Sequence, residues 1–335
     1  MIKIKILFII PPNTFFKGDF RGYIPFPIGI AYLAAVTENY GCETFVLDCM
    51  IEDESEKEIS GNQVHVGLRW EEIGKRVKEI NPDIVGISCS YSAQYENAVK
   101  VAKIVKEVNR KAITFIGGSY HSAMPKDGLK DENIDYVFIG EAENTIIDVL
   151  DYLQGNKDLA KIDGIAFRQD KEIIVNPKTK FIDNLDEMPF PARHLFKFEK
   201  YTMYDTSYTI RKPHATMFTS RGCPYDCTFC SIHPIWGYKF RARSPKSVVD
   251  EIEFLEKEYG IKEIYFLDDI INFDRNRMMA ICDEIINRKV DIKFVTPNGI
   301  RVDRLDRELL VKMKEAGCTT LMCSVESADE FILNK

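Results

Sequence analysis

The sequence lacks any uninterrupted apolar run of the roughly 18 residues that a membrane-spanning helix needs, so no membrane partner is predicted. It also lacks an excess of basic charge: 45 Lys and Arg residues stand against 52 Asp and Glu residues, for a formal net charge of -7. Nucleic acid is therefore not favoured as a partner. The first ten residues, MIKIKILFII, lack the small-residue cleavage site of a signal peptide and alternate as a strand does. We therefore expect a cytoplasmic protein.

The most informative stretch is residues 219–231, which read TSRGCPYDCTFCS. Its cysteines Cys223, Cys227 and Cys230 have the spacing C-x3-C-x2-C, which lets a short loop bind three irons of a cubane 4Fe-4S cluster. The fourth iron would have no protein ligand, and a metal centre with an open position is able to bind a substrate. The alternative is zinc with His233 as fourth ligand, although zinc cysteines usually occur as two separated C-x2-C pairs.

The remaining cysteines are six in number, out of an odd total of nine. A cytosolic protein keeps its thiols reduced, so we expect these six to be small core residues. They are Cys42, Cys49, Cys89, Cys282, Cys318 and Cys323.

In the N-terminal half, apolar β-branched runs alternate with segments of helical periodicity. This pattern predicts a parallel, doubly wound α/β sheet of flavodoxin-like order, because strands buried on both faces need helices on both sides. The acidic run 52–58 is predicted to be a solvated loop. The predicted strands are 4–10, 44–47, 84–88, 113–116 and 136–139, and the predicted helices are 28–40, 69–80, 95–109 and 144–153.

Ligands of such sheets bind at the carboxyl ends of the strands, so the residues after each strand are candidate contacts. Glycine pairs and hydroxyl groups there let a large ligand approach the backbone. One alternative is an ordinary Rossmann-like domain with another ligand or none. Another, for His121 alone, is a solvent-facing or locally hydrogen-bonded side chain. The candidates are Pro11, Pro12, Asp48, Ser88, Ser90, Gly117, Gly118, His121, Gly140 and Glu141.

These turns resemble the cobalamin-binding domain that precedes many radical S-adenosylmethionine (SAM) domains. The resemblance lies in the PP pair after the first strand, FPIGIAYLAA (26–35), GGSYH (117–121) and GEAE (140–143), where Ala142 replaces the usual glycine. It implies that cobalamin binds here. None of the five histidines has Asp two positions earlier, unlike the Asp-x-His-x-x-Gly motif of proteins that ligate cobalt from below. The implied cobalamin therefore has no histidine on cobalt.

The predicted domains are a cobalamin-binding Rossmann-like domain (1–155), a connector (156–210) and a second βα-repeat domain (211–335). Within the connector, 162–175 is predicted to form a β-hairpin. The two prolines of LDEMPFPARHLF (185–196) predict an extended linker, in which His194 is expected to be a packing or linker residue rather than a ligand. The second domain is predicted to contain strands 215–219, 263–267, 293–296 and 320–324, and helices 244–259, 275–288 and 306–316.

The second domain resembles the radical SAM barrel in its cysteine spacing, FLDDIIN (266–272), NGIRVDRLD (298–306) and SVESAD (324–329). This implies a partial (β/α)6 barrel with a 4Fe-4S cluster and SAM at the carboxyl ends of its strands. Arg301 and Glu326 would help to hold the polar groups of SAM. The pair Asp268 and Asp269 has a solvated turn as its alternative. The implied site residues are Phe229, Asp268, Asp269, Asn298, Arg301, Glu326 and Ser327, while Arg241 and Arg243 either contact phosphate or cobalamin amides or form a surface stripe.

The resemblance covers nearly the whole chain and implies a cobalamin-dependent radical SAM enzyme. Its commonest reaction would be methyl transfer to a poorly activated carbon or phosphorus of a small-molecule substrate, with an electron donor such as flavodoxin or ferredoxin. The alternatives are radical cyclisation or rearrangement without methyl transfer, and a non-catalytic protein that binds the cluster or cobalamin. The chain stops at Lys335, after the fourth predicted barrel strand, so we expect a fragment or a barrel completed by another chain.

Overall fold

The structure, a computed structural model, describes residues 3–20 and 22–333. Within these residues no helix is both long enough and apolar enough to cross a membrane. The expectation about the chain end concerns Lys335, which lies outside the described residues. The chain divides into two compact units: the first comprises Met1–Ile182, Met188–Lys200 and Asp226–Gly237, and the second comprises Asp183–Glu187, Tyr201–Tyr225 and Tyr238–Lys335.

The first 182 residues contain ten strands and seven α-helices among those described. The strands are β1 (Lys5–Ile10), β2 (Asn13–Phe16), β3 (Glu43–Asp48), β4 (Glu56–Ser60), β5 (Gln63–Val66), β6 (Ile84–Ser88), β7 (Ile113–Gly117), β8 (Tyr136–Phe138), β9 (Ile165–Gln169) and β10 (Glu172–Asn176). The helices are α1 (Ile28–Tyr40), α2 (Cys49–Glu52), α3 (Trp70–Ile80), α4 (Tyr95–Val108), α5 (Ser119–Ala123), α6 (Pro125–Gly128) and α7 (Glu143–Leu153).

The later residues contain six strands and six α-helices among those described. The strands are β11 (His214–Met217), β12 (Ser220–Arg221), β13 (Arg241–Ala242), β14 (Glu263–Phe266), β15 (Lys293–Thr296) and β16 (Cys318–Leu321). The helices are α8 (Phe198–Tyr201), α9 (His233–Trp236), α10 (Pro245–Tyr259), α11 (Arg275–Asn287), α12 (Arg307–Glu315) and α13 (Glu330–Leu333).

The first unit is built on a seven-stranded sheet of order β10-β9-β8-β7-β6-β1-β3. Its five strands β3, β1, β6, β7 and β8 are parallel, in the flavodoxin-like order that the sequence predicted. Apolar clusters cover both faces, one around Val85 and Val101 and the other around Phe8 and Phe115. Burial on both faces explains why these strands appear in the sequence as nearly continuous apolar runs.

The predicted connector hairpin is present as β9 and β10, and it pairs antiparallel with β8. Ile165, Ala166 and Phe167 of β9 are buried. Without this hairpin β8 would be an open edge of the sheet, and unpaired edges favour aggregation. The first part of the connector therefore completes the first sheet.

A second sheet in the first unit, of order β2-β5-β4, was not predicted. Its strand β4 begins inside the acidic run 52–58 and ends beyond it, at Ser60. Four of the five β4 residues are exposed. The loop prediction was wrong here, because a strand keeps its charged side chains in water while its backbone pairs with a neighbour. A charge pattern reports exposure but not backbone pairing.

The second unit contains a four-stranded parallel sheet of order β11-β14-β15-β16, with α10, α11 and α12 between successive strands. Ser244 caps α10 by accepting a hydrogen bond from the Ser247 N–H (3.2 Å), and Asp306 caps α12 in the same way through Leu309. These features confirm the predicted partial barrel. The last strand ends at Leu321, and Cys323, which lies beyond it, is exposed rather than in the core as predicted. Of the other five cysteines outside the motif, four are buried and Cys318 is half-buried.

Candidate functional site

The first residues of the cysteine loop are held by the buried carboxylate of Asp268. This carboxylate accepts hydrogen bonds from the Thr219 backbone N–H (3.1 Å), the Thr219 hydroxyl (2.7 Å) and the Ser220 hydroxyl. Asp268 follows β14, which pairs with β11, so the carboxyl ends of these two strands bring the groups together. The solvated-turn interpretation of Asp268 was therefore wrong.

Two arginines reinforce the same end of β11. Arg243 pairs with the buried carboxylate of Glu251 and donates to the Phe218 carbonyl (3.2 Å). Arg277 donates to the Thr219 carbonyl (2.7 Å) and to the Arg243 carbonyl (2.8 Å). The exposed fractions of Arg241 and Arg243 are 3% and 5%, so they do not form the surface stripe that the sequence left open.

Asp269, the next residue, has a different environment from Asp268. Burial, with a further contribution from the charge of Asp268, raises the pKa of Asp269 to about 7. This half-buried group therefore exchanges a proton near neutral pH. As a carboxylate it is able to bind a cationic amine, and as an acid it is able to donate a hydrogen bond.

The three motif cysteines lie in an irregular loop. Cys223 is half-buried and belongs to the second unit, whereas Cys227 and Cys230 are exposed and belong to the first. The Cys230 N–H donates to the Cys227 carbonyl (3.0 Å), which closes a turn between them. Three thiols are the donors that an iron–sulfur cluster requires, so the residue types fit the group. No three His, Cys, Asp or Glu side chains of the described residues are gathered as a metal site, and the ligand assignment stays a prediction.

The other predicted SAM contacts are spread over later turns. Arg301 donates two hydrogen bonds to Asp303 (2.9 and 2.8 Å), and its guanidinium lies 3.9 Å from the ring centroid of Tyr225. Glu326 is exposed, and Ser327 accepts a hydrogen bond from the Asp329 N–H (3.0 Å). Among the remaining predicted residues, Phe229 is exposed and Asn298 donates to the Leu267 carbonyl (2.7 Å). The role of each in SAM binding stays a prediction.

At the carboxyl edge of the first sheet, Ser88 and Gly117 are paired in register on β6 and β7. Gly118, at φ 124°, packs against the neighbouring loop: a Cβ there would lie 2.4 Å from the Cys89 carbonyl oxygen. The Ser90 N–H is bound by the Gln94 side chain (3.0 Å). Close approach of the protein backbone therefore explains Gly118, whereas a Cβ on Gly117 would make only ordinary contact with Phe138 at 3.6 Å.

The turn that follows β1, at the same edge of the sheet, also packs against other parts of the protein. Pro11 and Pro12 are buried, and the Pro12 carbonyl accepts a hydrogen bond from the Asn97 amide (2.9 Å). Asp48 is buried and caps α2 by accepting from the Met50 N–H (2.9 Å). These residues shape the edge, and their contact with cobalamin stays a prediction.

The GEAE turn contacts other segments of the first unit. A Cβ on Gly140 would lie 2.9 Å from the Ile235 carbonyl oxygen. The absence of a side chain here therefore lets α9, the helix that follows the last motif cysteine, pack close to this turn. The buried carboxylate of Glu141 accepts a hydrogen bond from the Ile182 N–H (2.6 Å). Neither partner could be predicted from the sequence, because both are distant along the chain.

His121 is completely buried, between Tyr95 and Tyr120 at ring distances of 5.5 and 4.8 Å. Neither ring nitrogen makes a hydrogen bond of normal geometry within the described residues. Burial lowers the pKa of His121 to about 4, so the ring is neutral at pH 7. The interpretation of this side chain as solvent-facing was therefore wrong. His194 is exposed and lies 3.0 Å from Glu38, as suits a linker residue.

Residues 20–150 match the B12 binding domain family, and residues 217–335 match the Radical SAM superfamily. The cytidylyl-2-hydroxyethylphosphonate methyltransferase of Streptomyces wedmorensis is 34% identical over 99% of this chain and 66% of its own length. An uncharacterized methyltransferase of Pyrococcus horikoshii is 33% identical over 98% of this chain and 67% of its own length. The chain belongs to the radical SAM superfamily and carries a B12 binding domain. This confirms the family that the sequence predicted.

A further relative and two solved structures are also similar to this radical SAM protein. The anaerobic magnesium-protoporphyrin IX monomethyl ester cyclase of Rubrivivax gelatinosus is 27% identical over 98% of this chain and 57% of its own length. The solved structure of the methyltransferase TsrM from Kitasatospora setae has a TM-score of 0.73 at 18% identity, covering 98% of this chain and 60% of that one. The cobalamin-dependent SAM radical enzyme OxsB has a TM-score of 0.79 at 18% identity, covering 99% of this chain and 45% of that one. The similarity to these two structures confirms the fold. The chain spans about half to two thirds of the length of the proteins named above.

Proposed function

We propose that this radical SAM protein is a cobalamin-dependent methyltransferase that acts on a poorly activated carbon or phosphorus of a small molecule. The observation that carries the proposal is the combination, in one chain, of a B12 binding domain with a radical SAM domain that contains the C-x3-C-x2-C loop. The relatives at 34% and 33% identity are both methyltransferases, whereas the cyclase is 27% identical, so methyl transfer is favoured.

In this proposal Cys223, Cys227 and Cys230 hold the 4Fe-4S cluster through their thiolates. When bound, the cluster, SAM and cobalamin supply the reductive cleavage of SAM and a transferable methyl group. The chain contributes the positions of the groups. Asp268 fixes the start of the cysteine loop through Thr219 and Ser220, and Asp269 holds or releases a proton at the same strand ends.

Cobalamin is held at the carboxyl edge of the first sheet, where Ser88, Ser90, Gly117 and Gly118 lie on neighbouring turns. No histidine binds the cobalt, since the Asp-x-His motif is missing and the neutral His121 ring is buried. Electron paramagnetic resonance of the bound cob(II)alamin tests this statement. Nitrogen superhyperfine splitting from a lower axial ligand would refute it.

The test of the proposed activity uses SAM itself as the probe. The protein is reconstituted anaerobically with iron, sulfide and cobalamin, reduced chemically or by a flavodoxin or ferredoxin, and analysed for 5′-deoxyadenosine and S-adenosylhomocysteine. We expect both products, and we expect Cys227→Ala to lose 5′-deoxyadenosine but to retain cobalamin. Cys282→Ala, which removes a buried thiol outside the motif, is the matched control. A protein that binds cluster and cobalamin but consumes no SAM would instead be a non-catalytic binding protein.

Radical cyclisation without methyl transfer is the second candidate, because the cyclase of Rubrivivax gelatinosus aligns with 98% of this chain. SAM labelled in its methyl group separates the two reactions once a substrate is identified. Methyl transfer places the label in the product. Cyclisation gives 5′-deoxyadenosine and an unlabelled product.

A further inference from the structure

Tyr225 lies in the three-residue spacer between Cys223 and Cys227, and an arginine binds its hydroxyl group. The Arg304 Nε–H donates to the Tyr225 hydroxyl oxygen (2.8 Å). Arg304 ends the short 3₁₀-helix Val302–Arg304, which follows β15. The two residues are 79 positions apart, so only the folded second unit brings them together.

Arg304 is itself fixed on its other side. Its Nη1 donates to the Phe273 carbonyl (2.9 Å), and its guanidinium carbon lies 4.6 Å from the Phe273 ring centroid. A guanidinium offers several donors in one rigid plane, so it is able to bind the phenol and the carbonyl at once. Arg304 therefore ties the spacer to a turn of the barrel.

The Tyr225 ring has a second cationic neighbour. The Arg301 guanidinium carbon lies 3.9 Å from the ring centroid, within cation–π distance, and two hydrogen bonds to Asp303 hold that guanidinium in place. Phe273 meets the same ring edge-on at 6.2 Å. These contacts restrict the ring, whereas its sequence neighbours Pro224 and Asp226 are exposed.

We propose that Arg304 is a positioning residue for the iron–sulfur cluster: it holds Tyr225, and with it the part of the spacer next to Cys223, in place while the cysteines bind the cluster. This inference rests on the proposed function, because it assumes that these cysteines bind the cluster. A loop fixed before the metal binds loses less conformational entropy on binding, so the cluster is retained for longer.

The experiment measures the rate at which a chelator removes iron from the anaerobically reconstituted chain. The variants are Tyr225→Phe, which removes only the hydroxyl group, Arg304→Gln, and the double variant. We expect each single change to speed iron release about tenfold, equivalent to about 1.4 kcal/mol. The double variant should be no faster than Arg304→Gln, because both changes remove the same contact.

Two further variants separate positioning from general stability. Arg304→Lys keeps the charge but not the planar donor group. The logarithm of its iron-release rate should therefore differ from that of the wild type by more than half of the difference that Arg304→Gln causes. Arg288→Gln removes an arginine of the same unit that binds Asp250 and Glu284, and it should leave the release rate unchanged. The spectrum of the reduced cluster should shift in Tyr225→Phe and not in Arg288→Gln.

The outcomes distinguish the inference from the function on which it rests. Additive effects in the double variant, or wild-type iron release from Tyr225→Phe and Arg304→Gln, would overturn the positioning role alone. A wild-type chain that binds no cluster would overturn the proposed function. If Arg304→Gln does not fold, Tyr225→Phe still decides the matter, since it deletes one oxygen atom.

Discussion

Replacing Asp268 by Asn removes the charge from the carboxylate that anchors the start of the cysteine loop. In the wild type this carboxylate accepts hydrogen bonds from the backbone N–H and hydroxyl of Thr219 and from the hydroxyl of Ser220. An asparagine side chain has a single acceptor oxygen and an NH2 group, which cannot accept from these donors. Because the Thr219 N–H lies within hydrogen-bond distance of both carboxylate oxygens (3.2 and 3.1 Å), the NH2 group would face this buried donor in either orientation of the amide.

The size of the effect follows from the number of bonds affected. A hydrogen bond to a charged group contributes about 1.5–3 kcal/mol, and a buried donor without a partner costs a similar amount. We therefore expect Asp268→Asn to lower the free energy of unfolding by about 3 kcal/mol. For a unit of this size, each kcal/mol lowers the Tm by roughly 2–4 °C, so the Tm should fall by roughly 6–12 °C.

The matched control is Asp269→Asn, a change of the same kind at the next position. Because the pKa of Asp269 in the folded protein is about 7, its carboxylate form destabilises the fold. The cost begins as the pH rises above about 4, the pKa in the unfolded chain, and is complete above pH 7. Asp269→Asn should therefore match the wild type near pH 4 and become more stable than it between pH 4 and 7.

Thermal unfolding of the cofactor-free chain, followed by circular dichroism at pH 5 and pH 8, measures both effects. At pH 8 the two variants should move the Tm in opposite directions. Equal Tm values for Asp268→Asn and the wild type would refute the anchoring role of this carboxylate. A lower Tm for Asp269→Asn at pH 8 would refute the assignment of its raised pKa.

Four other substitutions test the packing by the same unfolding measurement. Gly118→Ala should lower the free energy of unfolding by about 2–4 kcal/mol through a backbone clash. Gly29→Ala, in a helix with open space around it, should raise the free energy of unfolding by about 0.5–1 kcal/mol. Equal effects of the two changes would contradict the backbone clash. Glu251→Gln should cost about 3 kcal/mol because it removes the buried carboxylate charge that pairs with Arg243, and a neutral effect would contradict the importance of the pairing. His121→Phe should fold and be at least as stable as the wild type, since neither nitrogen of the buried ring makes a hydrogen bond of normal geometry; a loss of more than about 2 kcal/mol would show that the ring has a hydrogen-bond partner.

Much of the fold was predictable from local patterns. The apolar runs of β1 and β6 are strands because both of their faces are buried, and the N-cap Ser244 marks the start of α10 within one residue. The order of the parallel strands followed from right-handed crossovers. By contrast, β4 was missed because its side chains are exposed and its pairing with β5 leaves no apolar alternation.

The site was predictable only in part, for a different reason. Sequence position placed Asp268 at the end of a strand, but its burial depends on donors 48 and 49 residues away. The bond between Glu141 and Ile182 spans 41 residues. Such contacts depend on how the turns fold over one another, and no periodicity or motif records them.

The central claim is that Cys223, Cys227 and Cys230 bind a 4Fe-4S cluster in a cobalamin-dependent radical SAM enzyme. Its most direct test is the iron and sulfide content of the anaerobically reconstituted chain and of its single cysteine variants. We predict one 4Fe-4S cluster per chain in the wild type and in Cys282→Ala, and none in any of the three motif variants. Zinc in place of iron, or an equal loss of iron in Cys282→Ala, would contradict the claim.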